Sequence, residues 1–116
     1  MNTIVTDYLA TWNATGDERK ALLGKHFADD VTYTDPLAAT SNAAELDAVI
    51  GAVQGQFAGM TFTQVGDVDA HHQQVRFQWG LGPAGEEPIV IGFDVVVLDE
   101  ADRIVDVRGF LDKVPA

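Results

Sequence analysis

The sequence predicts one α+β domain in which three helices precede a mainly antiparallel sheet. Up to Gly59 the apolar residues recur at helical spacing, and beyond it they alternate at period two. The breaks between the later segments are short enough for hairpins. A chain of 116 residues is long enough to bury one core, so residues 1–116 are read as a single domain.

The elements follow in order. Ile4, Tyr8 and Trp12 recur every four residues and form one stripe of a first helix. Thr15-Gly16-Asp17-Glu18 has capping-box spacing, which predicts a second helix from Asp17 with Leu22, Leu23, His26 and Phe27 on its buried side. The run 27–36 then ends that helix, turns on Asp29-Asp30, and enters an extended segment in which Val31, Tyr33 and Asp35 share a face. Asn42 and Glu45 form a cap-like pair before a third helix carrying Leu46, Val49, Ile50, Val53 and Phe57 and ending near Gly59. Four strands follow over 60–70, 75–81, 89–98 and 103–114. They are joined at His71-His72-Gln73, at Pro83-Ala84-Gly85-Glu86 and at Asp99-Glu100-Ala101-Asp102. Helices packed on one face of a curved antiparallel sheet satisfy this pattern.

Composition excludes several function classes. Eighteen acidic against seven basic residues give a net charge of −11, which opposes nucleic-acid binding because phosphates are neutralised by Lys and Arg. The same charge does little to attract anions and points to a neutral apolar ligand. No apolar run approaches a membrane span. The N-terminus lacks a basic region ahead of an apolar stretch, and there is no cysteine. A cytoplasmic protein with no membrane association is the expectation.

Asp35 is the residue most in need of explanation. It lies in line with two core residues, and burying a charge is costly unless it is paired, hydrogen-bonded or neutralised. It is either a structural cap before Pro36 or a general base in an apolar cavity. Asp94 poses the same question, sharing a strand face with Val90, Gly92, Val96 and Leu98. His71 and His72 are adjacent on an extended segment, so they should point opposite ways and not chelate one ion. No cluster has metal-ligand spacing. Gly80-Leu81-Gly82-Pro83-Ala84-Gly85 matches a dinucleotide pattern by letters but leads into a strand, so it is read as a turn. Arg76 and Arg108 alternate with apolar residues and belong on the outer face.

Helix, helix, Ala-Asp-Asp-Val-x-Tyr-x-Asp-Pro, helix and a four-strand meander ending in Leu-Asp-Glu-x-x-Arg-Ile resemble the nuclear-transport-factor-2-like (SnoaL-like) superfamily over essentially the whole chain. The resemblance implies a cone-shaped fold whose curved sheet and helices enclose an apolar pocket, with no cofactor. Its ketosteroid isomerase members match best. By that resemblance Asp35 corresponds to the base, Asp94 to the protonated oxyanion-hole aspartic acid, and Tyr8, with Trp12 as competitor, to the helix-borne donor. Trp12, Tyr33, Phe77, Trp79 and Leu111 are the expected lining. Proton transfer on an apolar carbonyl compound of steroid, polyketide or isoprenoid type, by an isomerase or cyclase, is the implied activity. A non-catalytic binder of hydrophobic ligands and a dimeric interaction module are the alternatives. Homodimers of the family suggest a dimer here, through the outer sheet face that carries Gln74, Arg76 and Gln78.

Overall fold

A computed structural model describes residues 2–115. Its elements are α1 (Asn2–Asn13), α2 (Gly16–His26), β1 (Phe27–Thr34), β2 (Ala39–Thr40), α3 (Ala43–Gln56), β3 (Met60–His71), β4 (Gln74–Pro83), β5 (Val90–Leu98) and β6 (Ile104–Lys113). The six strands form one curved, mostly antiparallel sheet in the order β2-β1-β6-β5-β4-β3. Strands β3 to β6 are the expected meander. The early strand β1 adds to it by pairing parallel with β6. The core lies between the helices and one sheet face, where Val5, Leu46 and Ile50 meet Phe77, Val96 and Val107. No helix among the described residues is long and apolar enough to cross a membrane.

Three sequence expectations are corrected here. Thr15 is the N-cap of α2 by backbone conformation, but its side chain makes no capping bond. Gly16 at φ +54° already turns the chain into the helix, and Arg19 N–H donates to the Thr15 carbonyl instead. Phe27 belongs to β1, and within α2 only Leu23 is buried. Asp29-Asp30 is not a turn between helix and strand but an irregularity inside β1. The β1–β6 register shifts between Phe27 and Thr32, so Phe27 and Ala28 are both buried and the two aspartates both exposed. Five positions along β1 match two along β6, and extra residues in one strand break strict alternation in this way.

The Asn42 expectation needs no change. Its side chain accepts from Glu45 N–H at 2.8 Å, satisfying one free donor of α3, and Glu45 Oε1 reaches back to accept from Ser41 N–H, just before the cap, at 2.8 Å.

Polar ties fix the helices over the sheet. Arg19 binds Asp47 at 2.6 Å and Gln54 at 3.0 Å, while Gln54 donates to the carbonyls of Trp12 and Ala14. Asn13 exchanges two bonds with the backbone of Phe62, at 2.9 and 2.8 Å. The end of α1, and with it Trp12, is thereby held against β3.

Replacing the Asn42 cap should cost about 1 kcal/mol, the usual loss when an N-cap acceptor is removed. Urea unfolding of Asn42→Ala should show that loss, and Thr15→Ala, whose hydroxyl makes no capping bond, should cost less than about half as much.

Candidate functional site

Asp94 is built into the middle of the sheet. It lies on the inward face of β5, opposite Phe77 on β4 and Gly109 on β6, and is only 3% exposed. The Tyr8 hydroxyl, carried over the sheet by α1 and 1% exposed, donates to Asp94 Oδ2 at 2.7 Å. Burial pushes the Asp94 carboxyl up to about 6, with the nearby Asp35 charge adding to the rise, while Tyr8 and the Trp79 indole act in the opposite direction. Burial likewise drives the Tyr8 phenol well above its ordinary value, with the Asp94 charge next in size. Tyr8 is thus a fixed donor.

The position across from Asp94 on β6 is a glycine, and any side chain there would displace the carboxyl. A Cβ on Gly109 would lie 2.8 Å from Asp94 Oδ1 and 3.4 Å from Asp35 Cβ. The bare backbone at Gly109 is what lets the two acidic side chains flank one point. Asp35 reaches that point because β1 runs parallel to β6 with Thr34 opposite Arg108, leaving the next residue beside Gly109.

Asp35 has the bonds of a structural cap and also borders a cavity. Its Oδ1 accepts the backbone N–H groups of Leu37 and Ala38, each at 2.8 Å, and its own N–H donates to the Ala38 carbonyl at 2.9 Å. Its Oδ2 accepts the Tyr33 hydroxyl at 2.5 Å. Tyr33 and Asp35 sit two residues apart and so lie on the same side of the extended chain. Burial and the Asp35 partner both raise the Tyr33 phenol, keeping it a donor.

A cavity of about 250 Å³ opens beside these groups. At its polar end stand Tyr8, Tyr33, Asp35 and Asp94. Its walls are mainly apolar, from Trp12, Phe62, Trp79 and Leu111 among others. Trp79 fits because the residue opposite is Gly92, where a Cβ would come within 2.1 Å of the indole. The Trp12 indole N–H is buried with no hydrogen-bond partner. No grouping of three or more metal-ligating side chains occurs among the described residues.

This chain is similar to a candidate isomerase of the SnoaL-like family from Agrobacterium tumefaciens, at 36% identity over 95% of each chain and a TM-score of 0.89. The chain belongs to the SnoaL-like family. The fold is shared with a candidate polyketide cyclase from Sinorhizobium meliloti, at 13% identity over 95% of this chain and 94% of that one and a TM-score of 0.71. It is shared also with a SnoaL-like protein of unknown function from Burkholderia thailandensis, at 12% identity over 95% and 92% and a TM-score of 0.74. No family model matches the chain, and no curated protein matches it.

Within this SnoaL-like chain, seven of the eight residues singled out from the sequence border the cavity: Tyr8, Trp12, Tyr33, Asp35, Trp79, Asp94 and Leu111. Phe77 does not, and that expectation is corrected. It shares the inward face with Asp94, but Tyr8 packs edge-on over it at 5.3 Å, sealing it into the core. Besides Phe57, Phe62, Leu81 and Val90, sequence reasoning missed Leu9, Val53, Gln56, Leu37, Val114 and Pro115. Leu9, Val53 and Gln56 sit on helices with apolar or polar periodicity like any other, and Leu37, Val114 and Pro115 follow the ends of strands. Of Tyr8 and Trp12, it is Tyr8 that reaches Asp94.

His71 and His72 occupy the β3–β4 hairpin, yet their rings do not diverge. His72 has φ +55°, which leaves extended geometry and brings the two Nδ1 atoms to 3.0 Å. Arg76 and Arg108 are on the outer face, paired with Asp69 and Asp106.

The raised Asp94 group makes a signed prediction. The folded state keeps a proton that the unfolded chain, with its carboxyl at 3.8, has already lost. This contribution to stability is complete below about pH 4 and disappears as pH rises through about 6, at a size on the order of 3 kcal/mol for a shift of roughly two units. Denaturant unfolding across that range should show the fall in the natural protein, and Asp94→Asn, neutral throughout, should lack it.

Proposed function

We propose that the protein is a proton-transfer enzyme, an isomerase or cyclase, acting on a neutral apolar compound that carries a carbonyl group. The carrying observation is the pair of carboxyl groups in unlike surroundings on either side of Gly109, at the polar end of an apolar cavity. Enolisation needs a base beside the acidic carbon and donors beside the carbonyl oxygen. Asp35, held by three donors in a half-buried position, is the base that takes the proton from the carbon next to the carbonyl. Asp94, protonated below about 6, donates to the oxygen as negative charge develops there, and the Tyr8 hydroxyl turns from Asp94 Oδ2 to donate to the same oxygen. Asp35 then returns the proton at a second carbon. The similarity to a candidate isomerase at 36% identity supports this class of reaction. Steroid-, polyketide- or isoprenoid-like compounds are the substrate class.

A specific observation favours a second reading, a hydrophobic-ligand binder without chemistry: the Asp35 carboxylate already accepts two backbone amides and a phenol, as a structural cap would.

The outer sheet face supports a homodimer. On β5 the outward residues Ile91, Phe93, Val95 and Val97 are as apolar as the inward ones, and Phe110, opposite Phe93, is 60% exposed. A strand apolar on both faces is suited to being covered on both. Light scattering of the purified protein should give twice the chain mass, and Phe110→Glu should shift it to the monomer. A natural protein that stays monomeric at high concentration counts against this assembly.

Cyclohex-3-enone is small enough for the cavity, and its conversion to the conjugated enone is read by ultraviolet absorbance. Asp35→Asn keeps an oxygen for the two backbone amides but removes the base, and turnover should fall by about 10² to 10⁴, the usual worth of a positioned general base. Equal turnover in the two proteins refutes the mechanism and leaves the binder. Because the donor form of Asp94 is the protonated one, kcat/KM should decline as pH rises through about 6, and Asp94→Asn should abolish that decline.

A further inference from the structure

Three large hydrophobic side chains are strongly exposed among the described residues: Leu37 at 85%, Phe110 at 60% and Val114 at 58%. Phe110 is on the outer sheet face. The other two both border the cavity, although one follows β1 and the other follows β6. Exposed apolar side chains scattered singly need no explanation, but two that border one cavity do.

Neither residue is there by looseness of the chain alone. The Leu37 backbone is pinned, its N–H donating to Asp35 Oδ1, so the turn that carries the candidate base also presents an apolar side chain outward. Val114 and Pro115 continue β6 directly beyond Leu111, which lines the cavity wall. Exposure orders the site by depth. Asp94 and Tyr8 are at the closed end, Asp35 is intermediate, and Leu37 and Val114 are at the mouth. The enclosed space of about 250 Å³ is below the roughly 300–1,000 Å³ of ordinary small-molecule pockets.

We infer that the natural ligand is an elongated amphiphile longer than the cavity, entering carbonyl-first, and that Leu37 and Val114 form an apolar collar which receives its protruding hydrocarbon end and selects ligands by apolar length. This rests on the proposed carbonyl site at Tyr8 and Asp94 for its orientation. The occupant follows from continuity: the collar shares its lining with a cavity whose inner end is polar and whose walls are apolar.

The chain has two tryptophans, Trp12 and Trp79, and both border the cavity, so intrinsic fluorescence reports on its contents. Titration with linear methyl ketones from 2-pentanone to 2-undecanone should show affinity rising about fourfold per methylene, the equilibrium equivalent of burying one CH₂. In the natural protein the rise should continue through the longest ketones. In Leu37→Ser/Val114→Ser, both positions being exposed and outside the core, it should stop once the cavity is full, leaving 2-undecanone at least tenfold weaker. A plateau at the same chain length in both proteins, or an undiminished rise in the variant, overturns the collar. Collar-dependent binding together with unchanged turnover in Asp35→Asn upholds the collar and removes the catalytic reading. No binding of any ketone removes both.

Discussion

A carboxyl group buried on the inward face of β5 is the constraint to which the rest of the site is fitted. Left alone in an apolar core, Asp94 would be strongly destabilising, because its charged form loses water and gains nothing in return. Two features make it tolerable. The Tyr8 hydroxyl supplies a hydrogen bond from the helix above, and the raised protonation range lets the group stay neutral at mildly acidic pH. The space it needs comes from Gly109, whose missing side chain is the gap into which Asp94 Oδ1 projects. The three residues come from α1, β5 and β6, so the helix layer and the sheet are keyed together at this point.

The aromatic residues around this point keep a cavity open where the core could otherwise close. Tyr8, Trp12, Phe62 and Trp79 contact one another in tilted or edge-on pairs, which suits their ring quadrupoles and leaves gaps that aliphatic side chains would fill. Their anchoring is through the backbone. Asn13 ties the end of α1 to the main chain of Phe62, and Gln54 caps the carbonyls of Trp12 and Ala14. Two cross-strand glycines make room for side chains beside the cavity: Gly92 takes the flat of Trp79, and Gly109 takes the Asp94 carboxyl. The asymmetry between the acidic groups follows from depth. Asp94 depends on one phenol in the interior, whereas Asp35 rests on main-chain amides of a turn near the surface.

Much of this was legible in the residues themselves. Alternation on 90–98 placed Asp94 among apolar neighbours, and the observed burial of β5 alternates at every position. The third helix and its Asn42 cap, the hairpins and the outward arginines could also be read from local pattern. The failures have particular causes. The doubled Asp29-Asp30 resembles a turn, because a bulge leaves the same polar signature. The two histidines converge through one left-handed residue, which period-two reasoning does not anticipate. Phe77 has the right face for the cavity but is covered by a ring from another element.

The sequence by itself determined the three helices, the four-strand meander that follows them, the α+β class, and which side of β4 and β5 faces inward. These are short-range properties, set by side-chain periodicity and by caps within a few residues. Only the tertiary structure decided that β1 runs parallel to β6, and that Gly109 stands between Asp35 and Asp94. It also decided that Tyr8 rather than Trp12 meets the buried carboxyl, and that Leu37 and Val114 border one cavity. Those facts depend on contacts between residues up to 86 positions apart, where the partner is selected by packing across the whole core and no local pattern records the choice.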